Sequence, residues 1–501
     1  MLLKLPTAWS DRIAYALMAA ASLAYAVCTV RAALGSPYWM DEVLAVWTAR
    51  LPTAPAVWGA LSKGAEFSPP LFHLLLQKIQ QLGGHGRLAM RTPSILAVYV
   101  VAVSAFVLVR RRKPAMLAAL AFSFCLASGL VDYAVQARQY ALVSAGFALA
   151  VVLWDGIEAR RTAWPSAVGI LVLLAAAIGL HFYAVLLAGT LGLVELAWSL
   201  KHRRLRWPVL IAIALAGLSI LAWLPILAHV SAFNRGDTSA PAYYARPTLE
   251  KLFDAYIGIL AGHESVLISP LLVFSIAAVA AFVMSFRMRW RLLDFDLIAF
   301  AACGIPVIVY AFAALVSHTF NERYAVAAAL GFALLLARCA AVLPAPRWTV
   351  PGLILLLLAS MAFPLRTASL ADDLRGDAAL ADRAPNDLPI VTGNGLRFLE
   401  LSENARPETA ARLVYLTAPR EADLGDPTNE HQVERWKTIN PGLAVEPAQA
   451  FFAAHRTFLI FRDPEAAAEA PSLFDKRAAK VEEIGDYDTA TVEQVTLTSG
   501  K

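Results

Sequence analysis

The sequence predicts a polytopic α-helical membrane protein of about eleven transmembrane helices, followed by a C-terminal soluble α/β domain. Of its 501 residues, 59% are hydrophobic, and they are concentrated in long uninterrupted runs, unlike the scattered periodicity of a soluble core. Runs long enough to cross about 30 Å of hydrocarbon, at about 1.5 Å per helical residue, recur along residues 1–365. Residues 366–501 contain no such run, and their mixed charge and ordinary hydrophobicity mark a separate domain in water.

The apolar runs fall near 13–34, 92–109, 114–131, 139–154, 165–181, 182–200, 208–230, 266–286, 297–316, 324–343 and 349–365. The stretch 165–200 also admits a reading as one long helix plus a re-entrant piece. Basic clusters occupy alternate loops: RRRK at 110–113, EARR at 158–161, KHRRLR at 201–206, RMRWR at 287–291, and the segment from Arg338 to Arg347, with Lys4 and Arg12 at the N-terminus. The positive-inside rule places these in the cytoplasm. The loops 35–91 and 231–265, the SHTFNER turn and the C-terminal domain then face the periplasm or the cell exterior, across an inner (plasma) membrane. The net charge of +5 hides an asymmetry. Residues 366–501 carry 15 basic and 23 acidic residues, a net of −8, whereas the preceding residues carry 28 and 15, a net of +13. The basic excess therefore belongs to membrane loops and points to no nucleic-acid partner. Cys28, Cys125, Cys303 and Cys339 lie in or at the ends of the runs without C-x-x-C spacing, and read as packing residues.

The first outward loop opens with SPYWMDEVLAVW, which sets Asp41 beside Glu42. On a helix beginning near Tyr38, at about 100° per residue, Trp39, Met40, Val43, Leu44, Val46, Trp47 and Leu51 share one side. Asp41, Glu42, Ala45, Thr48 and Ala49 share the other, which predicts an amphipathic helix at the membrane surface with its carboxylates turned to water. Geometry alone leaves two readings open: a solvated polar face, or an acid pair kept for chemistry. A second amphipathic stretch covers 54–63. Ser68-Pro69-Pro70 then ends any helix and starts a new apolar one, because proline is tolerated in the first turn only. The loop is a built structure of two surface helices, and LAMRTPSILAVY carries the chain into the second span with Arg91 at its start.

Together these pieces resemble a family. The outward Asp41-Glu42 pair after the first span, the P-P-L-F about thirty residues on, and the R-x-P-S at Arg91 are followed by R-x-Y at Arg138 and Tyr140, H-x-Y at His181 and Tyr183, and E-R-Y at Arg323 and Tyr324. Residues 1–365 resemble the GT-C type membrane glycosyltransferases, in the group of protein mannosyltransferases and lipid A sugar transferases. The resemblance implies a GT-C-like fold, a polyprenyl-phosphate-linked sugar as donor and an inverting hexosyl- or pentosyltransferase. It further implies a catalytic aspartate in the first outer loop, so Asp41 would be the general base with Glu42 its neighbour. The acceptor would be a lipid, a glycan or a protein.

That chemistry needs an outward carboxylate to take the acceptor's proton and outward cations to meet the departing phosphate. Arg138, with Tyr140, and Arg323, with Tyr324, stand at outer ends of spans and are the donor-phosphate candidates. An arginine there can also simply snorkel to lipid headgroups. His181 and Tyr183, where the fifth and sixth runs meet, are further candidates, although a lone histidine is commonly structural. Glu66 stands just before the prolines; some members of the family carry a charge directly before P-P, where this chain has Ser68, so its role stays open. His73 reads as a packing residue. A divalent metal is compatible with the acid pair, but no H-E-x-x-H or paired histidine spacing calls for one, and no G-x-x-x-x-G-K-[ST] marks a nucleotide site.

Strand patterns in the C-terminal domain fall at 388–393, 411–417, 456–463 and 489–497, with helical patterns at 396–404 and 429–437, which predicts a partly parallel sheet. The VTGNG turn reads as an ordinary strand-to-helix connection, and the domain as one that holds or selects acceptor. Two other functions suit a polytopic chain: a lipid-linked sugar flippase or transporter, or a catalytically inactive scaffold of the same fold. Cysteine labelling of intact cells tests the orientation. Residues 60, 240 and 430 should react from outside, and 112, 203 and 289 only after permeabilisation; labelling of residue 430 from the cytoplasm would overturn the topology.

Overall fold

The computed structural model describes residues 7–157, 163–237, 243–261, 270–285, 294–361, 369–385, 387–417, 428–462, 479–487 and 490–497. Lys4, the EARR of 158–161, the RMRWR of 287–291, parts of the 231–265 loop and the ends of the runs at 266–286 and 349–365 lie outside them. The chain divides into two compact units, one of residues Met1–Leu34, Ser68–Pro225 and Ala245–Arg366, the other of Gly35–Phe67, Ile226–Tyr244 and Thr367–Lys501.

The first unit is helical. Among the described residues, four helices are long and apolar enough to cross a membrane, Ser10–Gly35, Arg87–Arg110, Ala184–His202 and Trp207–Ser231, and the pair Asp294–Cys303 and Ile305–Ser317, bent by 44°, makes a fifth if taken as one span. Shorter apolar helices cover Ala115–Ala127, Tyr140–Asp155, Trp164–Leu180, Pro270–Val283, Ala328–Ala340 and Pro346–Met361. Each apolar run of the sequence coincides with one of these helices or with the bent pair. The run 165–200 forms two helices, because His181 leaves helical geometry at φ −155° and ψ 130°. The protein is thus a polytopic helical membrane protein.

Three acids inside this unit, Glu195, Asp155 and Asp296, are each paired with arginines, as a low-dielectric interior demands. Glu195 is fully buried and accepts from Trp154 Nε1 at 2.7 Å and from Arg206 Nε at 3.0 Å, while the Arg206 guanidinium lies 3.7 Å from the Trp198 ring centroid. Asp155 receives Arg111 at 2.9 Å and Arg112 at 2.6 Å, which engages two members of the RRRK cluster. Asp296 pairs with Arg338 at 3.1 Å. The four cysteines are free thiols, and Cys125 and Cys339 are buried, as packing residues should be.

The second unit carries a six-stranded sheet: β1 (Ile390–Thr392), β2 (Leu413–Thr417), β3 (Val445–Pro447), β4 (Thr457–Arg462), β5 (Ala479–Tyr487) and β6 (Ala490–Leu497), in the order β3-β2-β1-β4-β6-β5. β1 pairs in parallel with β2 and β4, and β2 with β3, whereas β6 runs antiparallel to both β4 and β5. Val391, Val414, Leu416, Phe451, Phe458 and Ile460 lie in its core. β1, β2, β4 and β6 follow the expected strands. β3 and β5 were not expected, since β3 is three residues long and ends on Pro447, and β5 is charged and irregular at Gly485. Those are features of sheet edges, where both strands lie. In the VTGNG turn, Asn394 Oδ1 accepts from the Leu396 and Arg397 N–H groups and caps the helix Gly395–Asn404.

Residues Gly35–Phe67, after the first apolar helix, belong to this unit as well. Their helices are Met40–Ala49 and Ala54–Ser62, the latter capped by Thr53 Oγ1. The structure corrects the expectation of a carboxylate face turned to water: Asp41, Glu42, Ala45, Thr48 and Ala49 are buried together with Val43, Leu44 and Val46. Helical periodicity finds the two faces of a helix but does not reveal that both will be covered.

One crossing in the helical unit is especially tight. A Cβ at Gly331 would lie 2.5 Å from Cys303 N and 2.8 Å from the Ala302 carbonyl carbon, whereas a Cβ at Gly352 would meet nothing within 4 Å. Gly331→Val should therefore abolish the monodisperse detergent-extracted protein on size-exclusion chromatography, and Gly352→Ala should leave it unchanged.

Candidate functional site

In the helical unit, three chain reversals bring the candidate residues together. The 3-10 turn Gly129–Tyr133 precedes Arg138-Gln139 and the helix that begins at Tyr140. The break at His181 separates two helices, and Asn321 caps the short turn Glu322–Tyr324 through Arg323 N–H at 3.3 Å. At these reversals the backbone stops running along a span and can project polar side chains sideways.

The aromatic rings of the three sites pack on one another. Tyr140 lies 5.3 Å from His181 and 6.2 Å from Tyr324, measured between centroids, and His181 lies 4.9 Å from Tyr324. Tyr183 stacks on Tyr324 at 4.4 Å. Tyr183 Oη makes 2.5 Å hydrogen bonds with Ser317 Oγ and the Thr319 carbonyl, which fixes that ring. His181 Nδ1 accepts from Tyr183 N–H at 3.3 Å, so in the neutral ring the proton resides on Nε2.

Onto this nest come two cations. The guanidiniums of Arg138 and Arg323 each lie 5.5 Å from the Tyr140 ring centroid, and Arg138 Nη2 donates to Tyr140 Oη at 3.3 Å. Arg138 is only 4% exposed. Each contact with the ring stabilises its cation by about 0.5–2 kcal/mol, but two like charges on one tyrosine repel each other. An anion near them would relieve that repulsion and gain charge-assisted hydrogen bonds. Arg138, Tyr140, His181, Tyr183, Arg323 and Tyr324 thus form one cluster. Arg91 has a different place: it is buried, and its Nη1 donates to the Ala33 carbonyl at 3.0 Å, joining the second span to the end of the first.

In the second unit, Asp41 and Glu42 are the second and third residues of the helix Met40–Ala49, 8% and 1% exposed. Negative charge there is stabilised by the helix dipole, typically by about 0.3–1 kcal/mol. Glu42 Oε2 accepts from Trp39 N–H at 3.4 Å, which gives Glu42 a capping duty that Asp41 lacks by position. Glu66 is also buried, next to Ala65, whose carbonyl accepts from Gln432 Nε2 at 2.6 Å and Trp436 Nε1 at 3.1 Å. His73 is buried against Phe72, as expected of a packing residue. Among the described residues, no group of three His, Cys, Asp or Glu side chains is placed to hold a metal.

Sequence reasoning placed a helix at 396–404, which forms as Gly395–Asn404, but assigned Glu400 no part beside the acid pair. Glu400 Oε1 accepts from Met40 N–H at 3.1 Å, directly beside Asp41. Glu400 also accepts from Arg397 Nη1 at 3.1 Å, and Arg397 reaches Asp377 at 3.2 Å. Burial pushes the Glu400 carboxyl up to about 7, against the opposing pull of the Arg397 charge and the Met40 N–H. An acidic residue in a polar-looking helix gave no sign of this, since the partner lies 360 residues away.

No family model matches the chain, and no curated protein matches it by sequence. Among solved structures it is similar to ArnT from Cupriavidus metallidurans bound to undecaprenyl phosphate, at 14% identity and a TM-score of 0.60, over 98% of each chain. It is similar also to the apo state of that protein, at 12% identity and a TM-score of 0.63, over 96% of this chain and 97% of the other. The chain has the GT-C fold of that glycosyltransferase, with a small C-terminal sheet domain.

Glu400 makes a prediction about pH. Its folded value lies above that of an ordinary carboxyl, so its contribution to stability is complete below about pH 4.5 and is lost as pH rises through about 7. Relative to the native protein, Glu400→Gln should gain stability between pH 5 and pH 8, by up to about 3 kcal/mol. Thermal unfolding of the full chain in detergent, followed by tryptophan fluorescence at several pH values, measures that difference; one that does not vary with pH would refute it.

Proposed function

We propose that the chain is an inverting glycosyltransferase that moves a sugar from a polyprenyl phosphate to an acceptor hydroxyl on the outer face of the membrane. The observation that carries this reading is the convergence of two guanidiniums, Arg138 and Arg323, on the single ring of Tyr140 within a nest of aromatic side chains. Such a site suits a phosphate at headgroup depth. The GT-C fold supports it, as does the undecaprenyl phosphate bound in the similar ArnT structure.

In this reaction the acceptor oxygen attacks the anomeric carbon from the face opposite the phosphate, and the configuration inverts. The bond from that carbon to the phosphate oxygen breaks, its electron pair leaves with the polyprenyl phosphate, and the acceptor's proton passes to the Asp41 carboxylate. Arg138 and Arg323 take up the charge that develops on the phosphate, with His181 Nε2–H as a further donor and Tyr140, Tyr183 and Tyr324 as the frame that aims them. Glu42 caps the helix that carries Asp41. Asp41 is buried, so bulk water is kept from the place where the proton would pass. The basic loops orient the chain with the N-terminus in the cytoplasm and the acid pair outside. The acceptor is a lipid, glycan or protein hydroxyl.

Membranes from cells expressing each variant should separate transfer from its rivals. Asp41→Asn keeps size and polarity but cannot accept the proton, and should slow transfer by about 10²–10⁴-fold with the protein still folded and inserted. Arg138→Ala should weaken donor use far more than Arg138→Lys, since lysine keeps the charge and loses only the two-pronged hydrogen-bonding geometry. Lipid-linked donor should accumulate in both Asp41→Asn and Arg138→Ala. Near-native transfer in Asp41→Asn would exclude it as the base, and movement of labelled lipid across vesicles by purified protein, with no donor accumulating in the variants, would make the chain a flippase.

A further inference from the structure

The helix that carries Asp41 is short, ten residues from Met40 to Ala49. Helices of that length do not hold themselves in water, so something else must fix its position and its rotation. Within the second unit, that task falls to one polar stripe of the helix Gly395–Asn404. Residues 400, 403 and 404 stand three and four apart, on one face. Asn404 brackets the Tyr38 peptide groups, accepting from Tyr38 N–H at 2.9 Å and donating to the Tyr38 carbonyl at 2.6 Å. Glu400 takes the Met40 N–H, one of the donors that a helix start leaves unpaired. At the other end, Glu403 accepts from Trp47 Nε1 at 2.8 Å and from both terminal nitrogens of Arg50 at 2.7 and 2.6 Å.

We propose that Asn404, Glu400 and Glu403 are positioning residues for the transfer reaction, a clamp that grips both ends of the Met40–Ala49 helix and so holds the Asp41 carboxylate at its working place. The proposal rests on the reading of Asp41 as the base. A helix held at one end can still swing or turn, whereas contacts at residues 38–40 and at 47–50 remove both freedoms. Three of the contacts are made to backbone groups, so they set position irrespective of which side chains the helix displays. Catalysis by a general base is sensitive to such placement, because proton transfer requires hydrogen-bond reach at the moment of attack. Apolar packing alone would permit the helix to slip by a fraction of a turn at little cost. The clamp does not, since slippage would strand the Glu400 carboxylate, already buried beside Arg397 and Asp377, without its Met40 partner.

The test compares Glu400→Ala, Asn404→Ala and Glu400→Gln in the full-length protein, each alone and the first two also combined with Asp41→Asn. Three measurements are made: backbone hydrogen exchange over residues 36–50 by mass spectrometry, binding of polyprenyl phosphate in detergent, and the rate at which lipid-linked sugar, labelled in cells, is consumed in membranes. Glu400→Ala and Asn404→Ala should raise exchange at residues 38–44 by about tenfold or more and slow consumption about 10–100-fold, with polyprenyl phosphate affinity within about threefold of native. Glu400→Gln, which can still accept from Met40 N–H, should recover most of the rate. On the Asp41→Asn background the clamp substitutions should cost little more, because they act through Asp41. If Glu400→Ala fails to fold, Glu403→Gln, which keeps its shape and gives up the charge shared with Arg50, takes its place and should slow consumption several-fold. Consumption within twofold of native while exchange rises, or full additivity with Asp41→Asn, would overturn the clamp. An Asp41→Asn protein that transfers normally would instead overturn the base itself, so the two failures are told apart.

Discussion

A carboxylate taken out of water must be given donors in its place, and this requirement organises the chain from one end to the other. In the helical unit Glu195 is met by Arg206 and Trp154, Asp155 by Arg111 and Arg112, and Asp296 by Arg338. In the second unit Glu42 and Glu400 each take an N–H at the start of the Met40–Ala49 helix. Removing one partner from such a set leaves a desolvated charge at a cost of several kcal/mol, so the elements that supply the partners cannot drift apart. The constraint acts on position as well as on stability, because hydrogen bonds to a carboxylate tolerate little displacement.

The aromatic nest applies the same physics in reverse. Where each buried acid has its cations, Tyr140 faces two cations. Tyrosine rings offer a negative π face to a guanidinium, and stacking of Tyr183 on Tyr324 keeps those rings from turning away. The result is a stiff cluster of rings and two guanidiniums built at three points where helices break.

Much of this was legible in the primary structure. Hydrophobic runs locate the spans because a bilayer requires about twenty apolar residues for a crossing, and every run coincides with a helix of the structure or with the bent pair. R-x-Y at 138–140, H-x-Y at 181–183 and E-R-Y at 322–324 were noticed separately; the structure joins them into one cluster. β3 and β5 escaped because three residues, or a charged strand with a glycine irregularity, carry almost no periodic pattern. The burial of Asp41 and Glu42 escaped for a different reason, since a helical wheel registers faces but not what packs on them.

The sequence by itself determined the class of protein, the places of its apolar helices along the chain, and the strands β1, β2, β4 and β6 of the C-terminal domain. These follow from local composition, which needs no knowledge of distant neighbours. Only the tertiary structure decided that the loop after the first span folds with the C-terminal segment, that Glu400, Glu403 and Asn404 grip residues 38–50, and that two arginines almost two hundred residues apart share one tyrosine. Contacts across such separations depend on how whole elements pack, and no local pattern of residues encodes which buried donor will meet which buried acceptor.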